Sequence, residues 1–296
     1  MRVIRTVAQL REALEYMKQG GHGPVGFVPT MGYLHEGHAS LLRKAGEKSG
    51  TVVMSIFVNP LQFGPNEDYA AYPRDEQRDL ELAEREGADI VFIPSVEEMY
   101  PQPVRTAVTV SSLTTQLCGA SRPGHFDGVT TVVSKLFNMV QPEYAFFGLK
   151  DAQQVAVLRR MVADLNMNVE IIACPIVREE DGLALSSRNV YLSAEERSQA
   201  LVLSRSLREA RQAIEAGTVR TADEARRLLV SVISESPLAV IDYAEILTFP
   251  DLEQLEGGSP LSTAGGEVIM ALAVKFGRTR LIDNNVFIPK EAHALV

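Results

Sequence analysis

The sequence predicts an α/β fold in which a parallel sheet precedes a smaller α+β domain. Short apolar runs alternate with segments of helical periodicity through the first 177 residues, which is the pattern of crossover units around a parallel sheet. After Pro175 the pattern changes to two amphipathic helices followed by β-rich segments. We therefore expect two domains, residues 1–177 and 178–296, joined through a hinge.

The first domain is predicted to contain five strands and five helices in alternation. The predicted strands are 25–29, 51–58, 89–93, 143–147 and 169–177. The predicted helices are 6–18, 38–48, 75–86, 128–140 and 151–165. Ligands of open parallel sheets bind beyond the carboxyl ends of the strands, so we expect His38, Gln62 and Lys150 to share one pocket there.

The second domain is predicted to consist of two helices and three β-segments. The helices are 194–216 and 221–236, and the β-segments are 241–247, 267–276 and 279–282. The segment that leads into this domain, 178–189, begins with charged residues and a glycine. We expect this segment to be a mobile gate and the small domain to close over the ligand site.

Composition narrows the class of protein. The chain has 296 residues, of which 46% are hydrophobic and 23% charged, as is ordinary for a soluble enzyme. A formal net charge of −9 disfavours nucleic acid as a partner, because neutralising its phosphates requires a basic face. The two cysteines give no disulfide framework, the start has no apolar stretch typical of a signal peptide, and the longest apolar run, 268–274, is too short to span a bilayer. We expect a cytoplasmic protein with no membrane partner.

The most informative segment is 29–38, which follows an apolar run and precedes a helical pattern. His35 and His38 lie three residues apart beside Gly37, at a helix start whose N–H groups favour an anion. This arrangement predicts contacts with the phosphates of a nucleotide. Two other interpretations remain open. One is a metal site, although the zinc-protease pattern has its histidines at i, i+4 and needs a further ligand. The other is a pair of histidines that cap the helix or are solvated.

Other polar residues are ambiguous when they are considered singly. A lysine after a buried strand, such as Lys150, is usually solvated, and an aspartate there, such as Asp151, usually caps a helix. The tripeptide 186–188 alone would indicate a helix cap followed by a surface arginine. Asp79 alone would lie on a solvated helix face.

Six motifs in a fixed order carry a resemblance to a known family. They are the segment 29–38, Phe-Val-Asn-Pro-Leu-Gln-Phe at 57–63, Tyr-Pro-Arg at 72–74, Arg-Pro-Gly-His-Phe at 122–126, Phe-Gly-Leu-Lys-Asp-Ala-Gln-Gln at 147–154 and Leu-Ser-Ser-Arg-Asn at 185–189. The chain resembles the pantothenate synthetase family, the pantoate–β-alanine ligases, from about residue 1 to residue 288. The resemblance implies a Rossmann-like nucleotidyl-transferase fold, although the usual dinucleotide and Walker A signatures do not occur in the sequence.

The resemblance also implies a reaction. Members of the family ligate (R)-pantoate and β-alanine to pantothenate, a coenzyme A precursor, and use ATP through a pantoyl-adenylate intermediate with release of AMP and pyrophosphate. By this resemblance the first domain binds ATP and pantoate, Mg²⁺ accompanies the nucleotide, and the protein is a homodimer.

Site residues follow from the motifs position by position. The resemblance implies catalytic roles for His35, His38, Lys150, Ser186, Ser187 and Arg188. It implies ATP contacts from Met31, Gly32, Tyr33, Leu34, His35, Glu36, Gly37, His38, Gly148, Leu149, Lys150, Asp151, Val177, Leu185, Ser186, Ser187 and Arg188. Gln62 and Gln154 would bind pantoate, and Asp79 would bind magnesium. No residue is singled out as the base that deprotonates β-alanine.

Three positions depart from the family's pattern. Cys118 and Leu149 stand where the family commonly has glutamate, and Arg78 replaces an acidic neighbour of Asp79. Cys118 and Leu149 each remove a carboxylate near the expected site, which indicates rearranged metal or subunit contacts. Arg78 weakens the assignment of Asp79 to magnesium.

Two rival functions come from different classes. One is another adenylate-forming or nucleotidyl-transferring enzyme on the same fold, against which the two glutamines and the absence of a basic face favour a small hydroxy acid. The other is a nucleotide-sensing module without catalysis. Such a module would not need Lys150 and Arg188 together with two substrate glutamines.

Overall fold

The computed structural model describes residues 1–65, 67–256 and 258–289. The chain divides into two compact units, each of which takes more than one stretch of sequence. The first unit comprises Met1–Thr115, Arg122–Leu149 and Val157–Val177, and the second comprises Gln116–Ser121, Lys150–Ala156 and Arg178–Val296. The short stretches 116–121 and 150–156 therefore belong to the second unit although they lie early in the sequence.

The helices and strands are numbered in chain order. The strands are β1 (Arg2–Ile4), β2 (Val25–Thr30), β3 (Thr51–Ile56), β4 (Ile90–Phe92), β5 (Tyr144–Gly148), β6 (Glu170–Cys174), β7 (Ala239–Phe249), β8 (Glu267–Phe276) and β9 (Thr279–Phe287). The α-helices are α1 (Val7–Gln19), α2 (Glu36–Lys48), α3 (Glu76–Arg85), α4 (Val96–Met99), α5 (Cys118–Ser121), α6 (His125–Val140), α7 (Ala152–Asp164), α8 (Ala194–Ala200), α9 (Val202–Glu215) and α10 (Ala222–Ile233). Short 3₁₀ turns at Pro60–Gln62, Leu149–Asp151 and Ser187–Tyr191 follow β3, β5 and the 178–184 stretch.

The first unit is built on a six-stranded sheet with the order β1-β4-β3-β2-β5-β6. Every pairing in this sheet is parallel, which confirms the predicted fold class. Both faces of the central strands are covered, and Phe27, Val53 and Phe146 are fully buried. The carboxyl ends of β2, β3 and β5 lead directly into 31–38, 57–63 and 149–151, which belong to three of the motifs identified above.

Burial of α2 fixes the position of the segment that precedes it. Leu42 and Ala45 of this helix share one apolar cluster with Val28, Met54 and Phe146 of the sheet. Each fully buried side chain of the size of Leu or Phe contributes about 1.5–3 kcal/mol relative to its exposed state. The start of α2 is therefore anchored to the sheet by its own apolar face.

The second unit contains a three-stranded antiparallel sheet with the order β7-β8-β9. Its core packs α9 and α10 against this sheet, with Leu207 and Leu229 contacting the same cluster as Met270 and Leu272. The fold class is thereby confirmed for both parts of the chain. Within the described residues, no helix is long and apolar enough to cross a membrane.

Several boundaries differ from the sequence prediction. The strand predicted at 169–177 ends at Cys174, because Pro175 has no N–H to donate to a neighbouring strand. The helix predicted at 194–216 is two helices that meet at Leu201, whose dihedrals stay helical (φ −59°, ψ −19°) and leave the apolar stripe unbroken. The strand predicted at 279–282 continues to Phe287 through polar but largely buried residues.

Candidate active site

The turn after β2 is organised by a carboxylate from α3. Asp79 is 1% exposed, and its two oxygens accept the N–H groups of Tyr33 (2.7 Å) and Leu34 (2.6 Å). Gly32 adopts φ +84°, and a Cβ there would fall 3.0 Å from Asp79 Oδ2 and 2.9 Å from Ile56 Cγ2. Asp79 therefore fixes the path of the chain that leads to the histidines. Its expected position on a solvated helix face was wrong, because its partners are backbone groups distant in sequence.

Both histidines cap the start of α2. His35 is the N-cap residue, and its Nδ1 accepts the N–H of Gly37 (3.1 Å), while Nδ1 of His38 accepts the N–H of His35 (3.2 Å). The two rings lie 4.1 Å apart between centroids, with their planes tilted by 38°. Because each Nδ1 acts as an acceptor, a neutral ring carries its proton on Nε2. The capping interpretation from sequence and a phosphate-donor role are therefore compatible.

Gly37 makes this arrangement possible through its lack of a side chain. A Cβ at this position would lie 2.8 Å from Cε1 and 2.9 Å from Nδ1 of His35. The imidazole could then not occupy its capping position. At this position glycine makes room for a neighbouring ring.

A cavity of about 240 Å³ opens beside this turn at the carboxyl ends of β2, β3 and β4. Met31, Gly32 and Asp79 line it together with Phe57 and Arg74. Burial raises the pKa of Asp79, and the two backbone N–H bonds oppose that rise only in part. Among the described residues, no group of three or more His, Cys, Asp or Glu side chains is arranged to hold a metal ion. The magnesium assignment of Asp79 stays a prediction.

Gln62 ends the 3₁₀ turn that follows β3. Its Nε2 lies 3.0 Å from Met31 Sδ, and its Oε1 accepts from Asn59 Nδ2 (3.2 Å). Asn59 is 1% exposed, donates also to Gly128 O (3.1 Å) and accepts from Tyr100 OH (2.8 Å). The structure thus brings the predicted pantoate residue Gln62 into contact with the predicted ATP residue Met31.

Asn59 is a positioning residue that the sequence analysis did not single out. The dipeptide Asn59-Pro60 is a turn signal that could have indicated it, since an asparagine side chain readily hydrogen-bonds backbone two residues later. It does so here, because Asn59 Oδ1 accepts the N–H of Leu61 (3.2 Å). Burial raises the pKa of its partner Tyr100 to about 12, so the phenol stays protonated and remains a donor to Asn59.

Close backbone packing holds the Gln62 turn against α6. A Cβ at Gly128 would fall 2.3 Å from the carbonyl oxygen of Leu61 and 2.6 Å from Cα of Gln62. Only glycine therefore permits this approach, and the first turn of α6 determines where the Gln62 backbone lies.

The Arg-Pro-Gly-His-Phe motif forms a cluster around the same turn. Arg122 donates to both oxygens of Glu67 (2.7 and 2.6 Å) and lies 3.0 Å from His125 Nε2, while His125 Nδ1 lies 2.8 Å from the carbonyl oxygen of Gln62. A guanidinium can only donate, so Nε2 accepts and Nδ1 carries the proton towards Gln62. The guanidinium holds the pKa of Glu67 below its usual value. Arg122 and His125 of this motif therefore support the Gln62 backbone.

Lys150 and Gln154 lie at the start of α7 in the second unit. The carbonyl oxygen of Lys150 accepts from Asn284 Nδ2 (3.0 Å), and its Nζ is 3.9 Å from Asp151 Oδ2. Gln153, the neighbour of Gln154, accepts the N–H of Cys118 (2.9 Å) and donates to Gln116 O (2.8 Å). The main chain of Lys150 is thus held by Asn284, and the side chain of Gln153 binds the main chain of Gln116 and Cys118.

The segment 178–189 begins as a small hairpin. Arg178 and Ala184 form an antiparallel bridge, Glu179 N donates to Leu183 O (2.8 Å), and Gly182 turns the chain at φ +97°. Leu185 then leads into the 3₁₀ turn in which Ser186 Oγ accepts the N–H of Arg188 (3.3 Å) and Ser187 is buried. The hydroxyl of Ser186 therefore caps this turn, as the tripeptide alone had indicated.

The remaining predicted positions lie at element ends or in the core. Val177 is the last residue of the first unit and follows β6 by three residues, and Gly148 is the last residue of β5. Cys118 is buried, with its Sγ 3.3 Å from Tyr243 OH and 3.5 Å from Arg280. The thiol thus lies beside an arginine, which is paired with Asp242 at 2.8 Å.

Comparison with known proteins decides the family. A model described as pantoate–β-alanine ligase matches residues 2–286 of the chain. The chain belongs to the pantoate–β-alanine ligase family. The pantothenate synthetase of Pelotomaculum thermopropionicum is 57% identical over 286 residues, which cover 97% of this chain and 99% of that protein. The prediction of a ligase that forms an amide bond is confirmed at this identity.

Solved structures of the family share the fold. The pantothenate synthetase of Thermus thermophilus superposes with a TM-score of 0.88 at 49% identity, over 96% of this chain and 99% of that one. The Francisella tularensis ligase, complexed with beta-gamma ATP and β-alanine, superposes with a TM-score of 0.77 at 33% identity, over 97% of each chain. The nucleotidyl-transferase-like architecture predicted from the motifs is therefore that of the ligase family.

Proposed function

We propose that this ligase joins (R)-pantoate to β-alanine through a pantoyl adenylate, with release of AMP and pyrophosphate. Membership of the family supports the overall reaction, and the ATP and β-alanine of the Francisella tularensis complex support two of its substrates. The observation that carries the stepwise proposal is the pair of histidines at the start of α2. Their capped Nδ1 atoms make Nε2 of each ring the protonated, donating nitrogen.

In the first step, a carboxylate oxygen of pantoate attacks the α-phosphorus of ATP, the bond to the bridging oxygen breaks, and pyrophosphate leaves. Charge grows on the phosphoryl oxygens and on the leaving group, so donors fixed before the reaction are worth most. Nε2–H of His35 and Nε2–H of His38 supply such donors. Neutral rings are suited to this role, since a helix N-terminus disfavours imidazolium.

Lys150 and the 186–188 tripeptide would hold the β- and γ-phosphates. Lys150 offers a mobile point charge, and Arg188 a planar fork that matches phosphate oxygens. Met31 to His38, Gly148 to Asp151, Val177 and Leu185 complete the proposed ATP contacts. Magnesium would enter with the nucleotide and neutralise phosphate charge. Both oxygens of Asp79 already accept an N–H, and a carboxylate oxygen has a second lone pair, so this residue fits at most a single metal ligand.

Gln62 and Gln154 would orient pantoate. A primary amide offers donors and an acceptor, which suits a substrate that has hydroxyls and a carboxylate. Oε1 of Gln62 is fixed by Asn59, so the amide presents a defined donor to the substrate. In the second step, the amine of β-alanine attacks the acyl carbon of pantoyl adenylate, the acyl–phosphate bond breaks, and AMP leaves as the amide forms.

Exchange of labelled pyrophosphate into ATP tests the proposal. We expect exchange that requires pantoate and Mg²⁺ but not β-alanine, because the first step is complete without the amine. During full turnover, AMP and pyrophosphate should accumulate in equal amounts. Exchange of equal rate without pantoate, or accumulation of ADP and phosphate, would show that the adenylate mechanism is wrong. A cytoplasmic homodimer remains a prediction of the family resemblance.

A further inference from the structure

We propose that Asp283 and Asn284, adjacent residues of β9, are positioning residues that hold two ATP-binding segments of the ligase on one strand. The proposal rests on the proposed function, in which Lys150 and the 186–188 tripeptide contact ATP. Neither residue belongs to the motifs recognised in the sequence. Both lie in a strand stretch that apolar periodicity had not predicted.

Asp283 holds the segment 178–189 through Arg178. The carboxylate is 3% exposed and accepts both terminal nitrogens of the guanidinium, at 2.7 and 2.9 Å. The same guanidinium donates to the carbonyl oxygen of Gly182 at 3.1 Å, so it also closes the hairpin turn. The N–H of Asn284 supplies a third donor to the carboxylate, at 2.8 Å. Asp283 is therefore a fully paired buried charge, and its loss would release Arg178 together with the hairpin.

Asn284 holds the other segment. Its Nδ2 donates to the carbonyl oxygen of Lys150 at 3.0 Å, and the residue is 5% exposed. This carbonyl lies in the 3₁₀ turn between β5 and α7, where backbone bonds of a regular helix are not yet complete. A bond to the main chain of Lys150 fixes its Cα, and thereby the region that its flexible side chain can reach.

Successive residues of a strand face opposite sides of the sheet, so neighbouring side chains can serve two different segments. Here the spacing between the anchor of Lys150 and the anchor of Arg178 is set by a single peptide unit. A buried ion pair is a poor source of net stability compared with apolar packing of the same volume. The pairing of a buried carboxylate and a buried amide at this point therefore indicates placement of the two segments rather than stabilisation of β9.

Three variants and a matched control test the inference. Asn284→Ala removes the bond to Lys150, and Arg178→Lys keeps the charge but cannot form the two-pronged pairing with Asp283. Asp283→Asn keeps the shape of the side chain and removes its charge. Asn285→Ala is the control, because it deletes the same atoms one position along the strand, where Oδ1 has no hydrogen-bond partner among the described residues.

Steady-state kinetics and pantoate-dependent pyrophosphate exchange are measured at saturating pantoate. We expect Asn284→Ala and Arg178→Lys to lower kcat for adenylate formation about tenfold, with a smaller change in KM for ATP, because misplaced donors are missed most in the transition state. KM for β-alanine should not change. Asn285→Ala should match the parent in kcat and in KM for ATP.

The outcomes separate the two proposals. If the parent protein shows no pantoate-dependent exchange, the proposed function fails, and the variants are not needed to establish this. If the parent exchanges normally and Asn284→Ala and Arg178→Lys match Asn285→Ala, the positioning role is overturned. Should Asn284→Ala fail to fold, Arg178→Lys decides alone, since Arg178 is partly exposed and lysine is tolerated at such sites. If Asn284→Ala and Arg178→Lys lose the same fraction of the parent's kcat at every temperature and keep the parent's melting temperature, the loss comes from misplaced ATP-binding segments and not from unfolding.

Discussion

The two segments proposed to bind phosphates are held in different ways. In the turn before α2, backbone N–H groups donate to the buried carboxylate of Asp79. The two histidine rings accept backbone N–H groups of the same turn through their Nδ1 atoms. In the segment 178–189, partly exposed side chains form ion pairs: Arg197 contacts Glu179 at 2.8 Å and Asp181 at 2.6 Å, with about a third of each side chain exposed. The firm attachment of this segment is the pairing of Arg178, itself partly exposed, with the buried carboxylate of Asp283.

This difference in attachment means that the donors of the histidine turn are preformed, whereas those of the segment 178–189 can be rearranged. Main-chain bonds to a buried carboxylate are scarcely screened by salt, whereas exposed ion pairs are worth at most about 1 kcal/mol and weaken as ionic strength rises. The histidine turn should therefore keep its geometry with or without nucleotide. The contacts that depend on the exposed Arg197 pairs should open at low cost, as the proposed role of a gate requires, while Arg178 stays paired with Asp283.

The largest expected effect is on the preformed donors. His38→Ala should slow pantoyl-adenylate formation on the order of 10²-fold or more, the usual scale for loss of a fixed donor to a developing charge. His38→Asn keeps an acceptor near the N–H of His35 but does not reach the Nε2 position, so it should lose nearly as much rate. Single-turnover formation of the adenylate measures both.

His22→Ala is the control for that experiment, because His22 lies exposed in the turn before β2. It should leave the rate unchanged. A parental rate in His38→Ala would contradict the phosphate role of the histidine turn and leave it with capping alone.

The next effect concerns the anchor of the turn. Asp79→Ala would leave the N–H groups of Tyr33 and Leu34 without their acceptor, and we expect a loss of about 2 kcal/mol in the free energy of unfolding. Asp79→Asn should lose about half as much, since one amide oxygen still accepts. Urea unfolding followed by circular dichroism measures both variants.

Asp75→Ala provides the comparison within the same helix. Asp75 only caps α3, through the N–H of Arg78 at 3.2 Å, and its loss should cost about 1 kcal/mol. If Asp79→Ala were no more destabilising than Asp75→Ala, the turn would not depend on the buried carboxylate.

A smaller effect should distinguish the gate from the turn by hydrogen exchange. Raising ionic strength from about 0.05 to 0.5 M shortens the Debye length severalfold, so backbone exchange should accelerate a few-fold at 179–184 and stay constant at 33–38. Addition of ATP and Mg²⁺ should slow exchange between Asp181 and Asn189. Most of that protection should vanish in a Ser187→Ala, Arg188→Ala double variant. Unchanged exchange at saturating ATP would leave the tripeptide with a capping role only.

The smallest effect is on the Arg122–Glu67 pair of the first unit. The pKa of Glu67 lies below its usual value of about 4.5, chiefly because Arg122 donates to it. A lowered folded-state pKa means that the pair stabilises the fold above pH 4.5 and loses this contribution as pH falls through the folded-state pKa. The difference in stability between the parent and Glu67→Gln should be below about 1 kcal/mol at pH 7 and shrink towards acid pH. A difference independent of pH would contradict the assignment.

The ends of strands with a continuous apolar run were predicted to within a few residues, because a strand buried on both faces has an uninterrupted apolar sequence. β1 was missed because only Ile4 of its three residues is buried. The polar end of β9 was missed because its residues are buried although they are polar. Asp283 and Asn284 form hydrogen bonds with partners more than a hundred residues away in the sequence.

Within the candidate site, the sequence indicated the histidines but not what holds them. The partners of Asp79 are main-chain N–H groups, and every residue type except proline offers one, so no sequence pattern marks them. The same holds for the carbonyl oxygen of Gln62, which His125 supports. Resemblance identified the Arg-Pro-Gly-His-Phe motif, and only the fold showed its task.

Gly128 illustrates how a proposed substrate-binding turn limits which mutations a neighbouring helix can accept. With backbone of the Gln62 turn only 2.3 Å from where a Cβ would lie, even alanine would act as a wedge between α6 and that turn. In a library of variants selected for growth without added pantothenate, this position should therefore be as intolerant as the proposed active-site residues, although it offers the substrate no functional group. Selection for catalysis would therefore keep a glycine at residue 128 of α6, because a single added methyl group would displace the Gln62 turn.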